Sequence, residues 1–158
     1  MTYLSVLILV FIVFILINSL FNILFWNKIS SYEKTNEKLS ILIPARNEEK
    51  NIKKCLASIN ISSELIKEVI VLDDDSNDNT WKILNELKNK NSKLIIKKGG
   101  SKPENWSGKS YACYQLSKFA SSKWILFIDA DTELEDKGVE KIFWYALKKN
   151  YSMVSAWP

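Results

Sequence analysis

The feature that most constrains this chain is a repeated switch between short apolar runs and helical spacing, with each apolar run stopping at polar residues. Leu39 to Ile43 reads as a short buried strand stopped by Pro44. Glu68 to Leu72 is a second, giving way to Asp73-Asp74-Asp75, and Lys93 to Ile96 is a third. Trp124 to Ile128 is a fourth and runs straight into Asp129-Ala130-Asp131. Between them Ile52, Cys55, Leu56 and Ile59 share one helical face, with Asn47 as its N-cap. Trp81, Leu84 and Leu87 share another, started by Asp78 or Asn79, and Trp81 reads as core. A third helix covers Gly108 to Ala120. A last helix over Lys137 to Lys149, with Trp144 in its apolar face, and a strand over Tyr151 to Ala156 complete the pattern. Alternation of this kind predicts an α/β fold, a mostly parallel sheet with helices on both faces.

The amino-terminal segment follows different rules. No charged side chain occurs in residues 1–27, and Tyr3 to Phe25 is almost wholly apolar. At 1.5 Å per residue such a helix crosses a hydrocarbon core of roughly 30 Å. The competing reading, a cleaved secretory signal, lacks a basic residue before the run and a small-x-small site after it. Asn18 and Asn22 fall on one helix face, where a partner helix or lipid headgroups would meet them; Trp26 and Lys28 suit an interfacial end. The expected organisation is a transmembrane helix over 1–27, a charge-rich linker over 28–38 and one α/β domain over 39–158. Lys28 and Lys34 favour a single-pass protein of the cell membrane with its domain on the cytoplasmic side, although Glu33 and Glu37 are interleaved with them.

Every charged residue, and so the formal net charge of +4, lies after residue 27. That mild, dispersed excess suits a surface near anionic lipid. It lacks the dense basic stripe of a nucleic-acid binder, so no nucleic-acid partner is expected. With no histidine in the chain, His-based triads, common zinc sites and a His general base are excluded. The two cysteines, Cys55 and Cys113, both sit in helical apolar patterns and read as free thiols of a reducing compartment. Chemistry here must rest on carboxylates, lysines and a hard metal ion.

In a parallel sheet the carboxyl edge would gather four segments: Pro44 to Glu48, Asp73 to Ser76, the loop ending at Lys109, and Asp129 to Asp131. Ligands of open α/β sheets bind at that edge. Asp129 and Asp131 are either strand-end turn residues capping the next helix or ligands of a divalent cation. Only four glycines occur and none forms a glycine-rich phosphate loop, so a cation and Lys109 at a helix amino terminus would have to neutralise bound phosphates. Asp73 and Asp74 can accept hydrogen bonds from a base or ribose; alternatively, Asp73 to Asp78 is an Asx-rich turn. Arg46 and Glu48 read equally as a surface ion pair, and Trp106 as core or as a lid.

SILIPARNEEKNI (Ser40 to Ile52), VIVLDDDSNDNT (Val69 to Thr80) and NWSGKSYACYQLSKFASSKWILFIDADTEL (Asn105 to Leu134) resemble family 2 glycosyltransferases with the GT-A fold. The W-x-G-K loop and F-x-D-A-D-T are most similar to membrane-anchored members that glycosylate carotenoid acids, such as diaponeurosporenoate glucosyltransferases, and to hopanoid-associated relatives. The resemblance covers nearly all of Leu39 to Pro158. It implies that Pro44, Ala45, Arg46 and Glu48 border the nucleotide, that Asp73 and Asp74 contact base and ribose, and that Lys109 lies near the diphosphate. It also implies that Asp129 and Asp131 form the D-x-D that holds Mg²⁺ or Mn²⁺, with Asp129 touching the donor. The implied reaction is inverting transfer of a hexose from a UDP-sugar to a lipid-like acceptor in carotenoid biosynthesis. Two departures stand out. Asp75 replaces the family's usual Gly, where a left-handed turn would be strained. The general base is expected beyond Pro158, which makes this chain a donor-binding amino-terminal portion; its alternative reading is a non-catalytic nucleotide-sugar-binding remnant. A nucleotidyltransferase would show a glycine-rich loop near its first strand, and Pro44 to Glu48 has none.

Overall fold

The computed structural model describes residues 3–24 and 32–156. Phe25, Trp26, the first part of the linker over 28–31 and the terminal Pro158 lie outside the described residues. The chain divides into two compact units, Met1–Ser30 and Ser31–Pro158.

In the first unit α1 (Tyr3–Leu24) is one uninterrupted helix with no buried residue. By length and composition it can cross a membrane. The Asn18 side-chain amide donates to the Phe14 carbonyl at 3.0 Å, one turn back, which satisfies one of its two N–H donors within the helix.

The second unit is an α/β layer built on a four-stranded parallel sheet. Its elements are β1 (Leu39–Ala45), α2 (Ile52–Ser58), β2 (Ile66–Asp73), α3 (Thr80–Lys88), β3 (Leu94–Lys98), α4 (Gly108–Phe119), β4 (Trp124–Phe127) and α5 (Gly138–Lys148). The strand order is β3-β2-β1-β4, and all three pairings are parallel. The two central strands are buried nearly throughout, as strands covered on both faces should be.

Alternation of side chains divides the core. Ile41, Ile43, Val69 and Val71 face α2, α3 and α5, packing with Ile52, Leu56, Leu84 and Phe143. Leu42, Ile70 and Leu72 face the opposite way, against Ala112 and Leu116 of α4. β4 is an edge strand. Its Trp124 meets Phe143 edge-on at 5.6 Å, while Ile125 and Phe127, in register with Ser40 and Leu42, stay exposed on the α4 face.

Several expected boundaries change for local reasons. Pro44 does not stop β1, which runs to Ala45 through its pairing with β2; on the other side Ile128 N donates to Leu42 O at 3.1 Å, the next donor would be Pro44 N, and the ladder to β4 ends there for want of that N–H. Asn47 is not an N-cap: helix α2 begins at Ile52, and Asn47 sits in the left-handed region at φ 57°. Residues 151–156 form no strand. There α5 closes with Asn150 left-handed, Asn150 N donating to Leu147 O and Tyr151 N to Ala146 O, a turn that sends the Tyr151 ring back onto Tyr145. Trp81 packs against the core as expected, but Trp144 is only half-buried beneath Lys148 Nζ.

Candidate functional site

The β1–α2 and β2–α3 loops are tied together at the carboxyl edge. Asn47 N donates to Ser76 Oγ at 2.9 Å, and Asn47 Oδ1 accepts from Asn77 N at 2.8 Å. Glu48 N donates to Thr80 Oγ1 at 2.8 Å and Glu49 N to Asp78 Oδ2 at 3.1 Å, while Glu49 Oε2 accepts from Asn79 N at 3.0 Å. Burial pushes the Asp78 carboxyl up, but the bonds from Thr80 and Glu49 outweigh it and hold it below the usual range. Asp78 and Glu49 are thus structural, and the Asx-rich turn is real. It starts after Asp74.

Asp73 is different. It ends β2 opposite Ala45, is buried, and its Oδ1 has no hydrogen-bond partner among the described residues. An unpaired buried carboxylate oxygen is costly and rare in a finished structure. Asp74 follows, anchored by its N–H to Ala45 O at 2.8 Å and facing Arg46 Nη1 at 3.9 Å. Arg46 therefore pairs with Asp74 and not with Glu48, whose carboxylate takes the Asn51 amide. Asp75 adopts φ 59°, the left-handed conformation expected to be strained there. Asp tolerates it better than most residues because its short side chain bonds locally.

Two glycines bring the remaining segments in. A Cβ on Gly99 would lie 3.2 Å from Asp74 Oδ1, and one on Gly108 would lie 3.3 Å from Asp74 Oδ2 and 3.9 Å from Arg46 Nη1. Gly108 opens α4, where the Ser107 side chain accepts from Ser110 N as N-cap. One residue on, Lys109 Nζ meets Asp129 Oδ1 at 2.8 Å. That hydrogen bond and charge, together with Asp131, hold the lysine's pKa above its usual value, opposed by slight burial. Asp129 and Asp131 are exposed beyond the tip of β4, on either side of the buried Ala130. Asp131 forms no ion pair among the described residues. Beneath them Cys55 donates its thiol to the Asp129 carbonyl at 3.7 Å, and its pKa is pushed up to about 11 by burial and then by Asp131, Glu48 and Asp129.

Pro44, Ala45, Arg46, Asp73, Asp74, Lys109, Asp129 and Asp131 thus all lie at the carboxyl edge of the sheet, with Arg46 paired to Asp74 and Lys109 to Asp129. Glu48 sits at the same loop but turns its carboxylate to Asn51. Sequence reasoning passed over Gly99, Gly108 and the Asn47–Ser76 tie. Two shallow hollows lie elsewhere, at the amino edge around Thr35, Asn36, Lys38 and Lys67. The chemistry argues for the open carboxyl edge.

No group of three or more metal-binding side chains occurs among the described residues. Two exposed carboxylates suit a hard cation that completes its shell with phosphate oxygens and water, as Mg²⁺ commonly does, and not a self-contained metal centre.

Residues 40–158 match the model of Glycosyl transferase family 2. The chain belongs to that family. It is 41% identical over 104 residues to the 4,4'-diaponeurosporenoate glycosyltransferase of Staphylococcus haemolyticus, covering 66% of this chain and 27% of the relative. The chain therefore spans about a quarter of that relative's length. Among solved structures, S. aureus TarS in complex with UDP is similar with TM-score 0.55 and 26% identity over 72% of this chain and 33% of that one. Mycobacterium tuberculosis glucosyl-3-phosphoglycerate synthase in complex with Mn²⁺, UDP and glucosyl-3-phosphoglycerate is similar with TM-score 0.51 and 25% identity, over 66% of this chain and 37% of that one. The parallel sheet flanked by helices is the GT-A arrangement of these glycosyltransferases.

Proposed function

We propose that this chain carries the donor-binding site of a membrane-anchored glycosyltransferase, taking a UDP-hexose together with Mg²⁺ or Mn²⁺. The observation that carries the reading is that an unpaired buried carboxylate oxygen, on Asp73, and the Lys109–Asp129 pair beside Asp131 lie at the same edge of one parallel sheet. Asp73 would accept from a base N–H and Asp74 from a ribose hydroxyl, with Pro44, Ala45, Arg46 and Glu48 bordering the nucleotide. Lys109, at an exposed helix start, would meet the diphosphate, adding its charge to the helix amino terminus. Asp129 and Asp131 would hold the cation, with Asp129 beside the donor. The bound ion would draw charge from the departing diphosphate and stabilise it as a leaving group. Diphosphate binding would compete with Asp129 for Lys109 and free that carboxylate for the ion.

The acceptor would be a lipid-like molecule such as a carotenoid acid, a reading supported by the name of the S. haemolyticus relative. An apolar anchor over 1–27, a tether over 28–38 and a donor domain over 39–158 on the cytoplasmic side would bring enzyme and acceptor to one surface. Inversion at the anomeric carbon needs a carboxylate base opposite the diphosphate.

The test is calorimetry of UDP binding to the full chain in detergent micelles with Mn²⁺ present. Saturable binding is expected in the wild type and none in Asp131→Asn. Equal affinity in the variant would remove Asp131 from the site and overturn the reading.

A further inference from the structure

Three rings stand together on the outer side of α4 and its preceding loop. Trp106 lies 5.6 Å from Tyr111 and 5.2 Å from Tyr114, and the two tyrosines are 6.3 Å apart. Trp106 is 39% and Tyr114 45% exposed, so neither is core. Phe119, at the far end of α4, is 42% exposed. Single exposed aromatics are ordinary, but a group in mutual contact marks an interaction surface.

Lysines frame it. Lys118 Nζ stands 5.2 Å over the Tyr114 ring and Lys97 Nζ 5.2 Å over Phe119, and Lys102 Nζ donates to Trp106 O at 2.9 Å. None of the three forms an ion pair among the described residues. That composition separates two kinds of partner. Protein interfaces gather Trp and Tyr but are depleted of Lys. The headgroup layer of a bilayer takes amphipathic rings and basic side chains together.

We propose that the Trp106–Tyr111–Tyr114 platform, with Lys97, Lys102 and Lys118, docks on the headgroup region of an anionic bilayer. The proposal rests on reading α1 as a membrane span, which confines the domain to that surface: Tyr32 follows Leu24 by eight residues, a reach of at most about 30 Å. Lys109 lies on the first turn of the same helix. Docking by this face would hold the donor edge, at the amino end of the same helix, close to the membrane that carries an apolar acceptor.

The experiment uses the full chain in liposomes of phosphatidylcholine and phosphatidylglycerol, with and without lipids brominated near the headgroup. The emission of Trp106 is read as wild type minus Trp106→Phe. We expect it to fall at least about two-fold in brominated vesicles, and the loss to disappear in a Lys102→Glu/Lys118→Glu variant that still floats with the liposomes. Flotation with Trp106 unquenched and open to acrylamide would overturn docking while leaving α1 as the anchor. Failure to float at all would overturn both. A response of Trp106 to soluble UDP-glucose, with none to lipid, would reassign the platform to the donor sugar and overturn the proposal. Should Trp106→Phe fold poorly, Trp106→Tyr supplies the subtraction instead.

Discussion

The two edges of the sheet treat carboxylates in opposite ways. At the amino edge Glu68 is buried, and its Oε1 accepts from Ser40 Oγ at 2.6 Å, Ser121 N at 2.8 Å and Ser121 Oγ at 2.7 Å. Burial pushes that carboxyl up, but the three bonds outweigh it and hold it below its usual range. At the carboxyl edge Asp73 is equally buried with an oxygen left unpaired, and Asp131 stands exposed without an ion pair among the described residues. A carboxylate whose bonds are complete holds the fold. One whose bonds are incomplete is held by the fold for something else.

Substitutions at the two edges should therefore separate binding from stability. The largest expected effect is on binding: Asp131→Asn should weaken metal-dependent UDP binding at least about 100-fold, beyond the range of groups that only support a metal ligand. Its unfolding free energy should change by less than about 0.5 kcal/mol, as for a surface site. Glu68→Ala should do the reverse. Leaving the Ser40 and Ser121 donors unpaired should cost about 2–3 kcal/mol in denaturant unfolding, with UDP affinity of the folded chain unchanged.

The same residue predicts a pH dependence. The folded pKa of Glu68 lies below its unfolded value, so its contribution is complete above the unfolded value and is lost as pH falls through the folded one. Acid melts of wild type against Glu68→Gln should show that extra loss in the wild type alone. Asp73→Asn should be intermediate: UDP affinity falling roughly ten-fold, with stability unchanged or slightly raised because an uncompensated buried carboxylate is gone. The smallest effect is expected at Asp75, where Gly relieves the left-handed turn but adds unfolded-state entropy, for a net gain of up to about 1 kcal/mol.

The carboxyl edge was far more legible in the sequence than the amino edge. Four apolar runs giving way to Pro44, Asp73, Lys97 and Asp129 announce strands and their polar tips, because an apolar run of strand length that turns polar marks where a buried strand ends. Lys109 was legible as a positive charge at a helix start. What stayed hidden depends on register between distant segments. The order β3-β2-β1-β4 decides that Asn47 meets Ser76 and that Gly108 lies against Asp74, and no local pattern encodes either. Glu68 looked like a polar strand start, since its partners Ser40 and Ser121 are 28 and 53 residues away. The strand expected over 151–156 failed because the left-handed Asn150 redirects the chain, a choice its apolar neighbours do not reveal.

The central claim is that the carboxyl edge binds a diphosphate through a shared cation. Its most direct measurement is UDP affinity of the wild-type chain by calorimetry, first in excess Mn²⁺ and then with the ion stripped by EDTA. We predict saturable binding with Mn²⁺ and none measurable after chelation. Affinity that is the same in both solutions would mean that Asp129 and Asp131 hold no ion for the nucleotide.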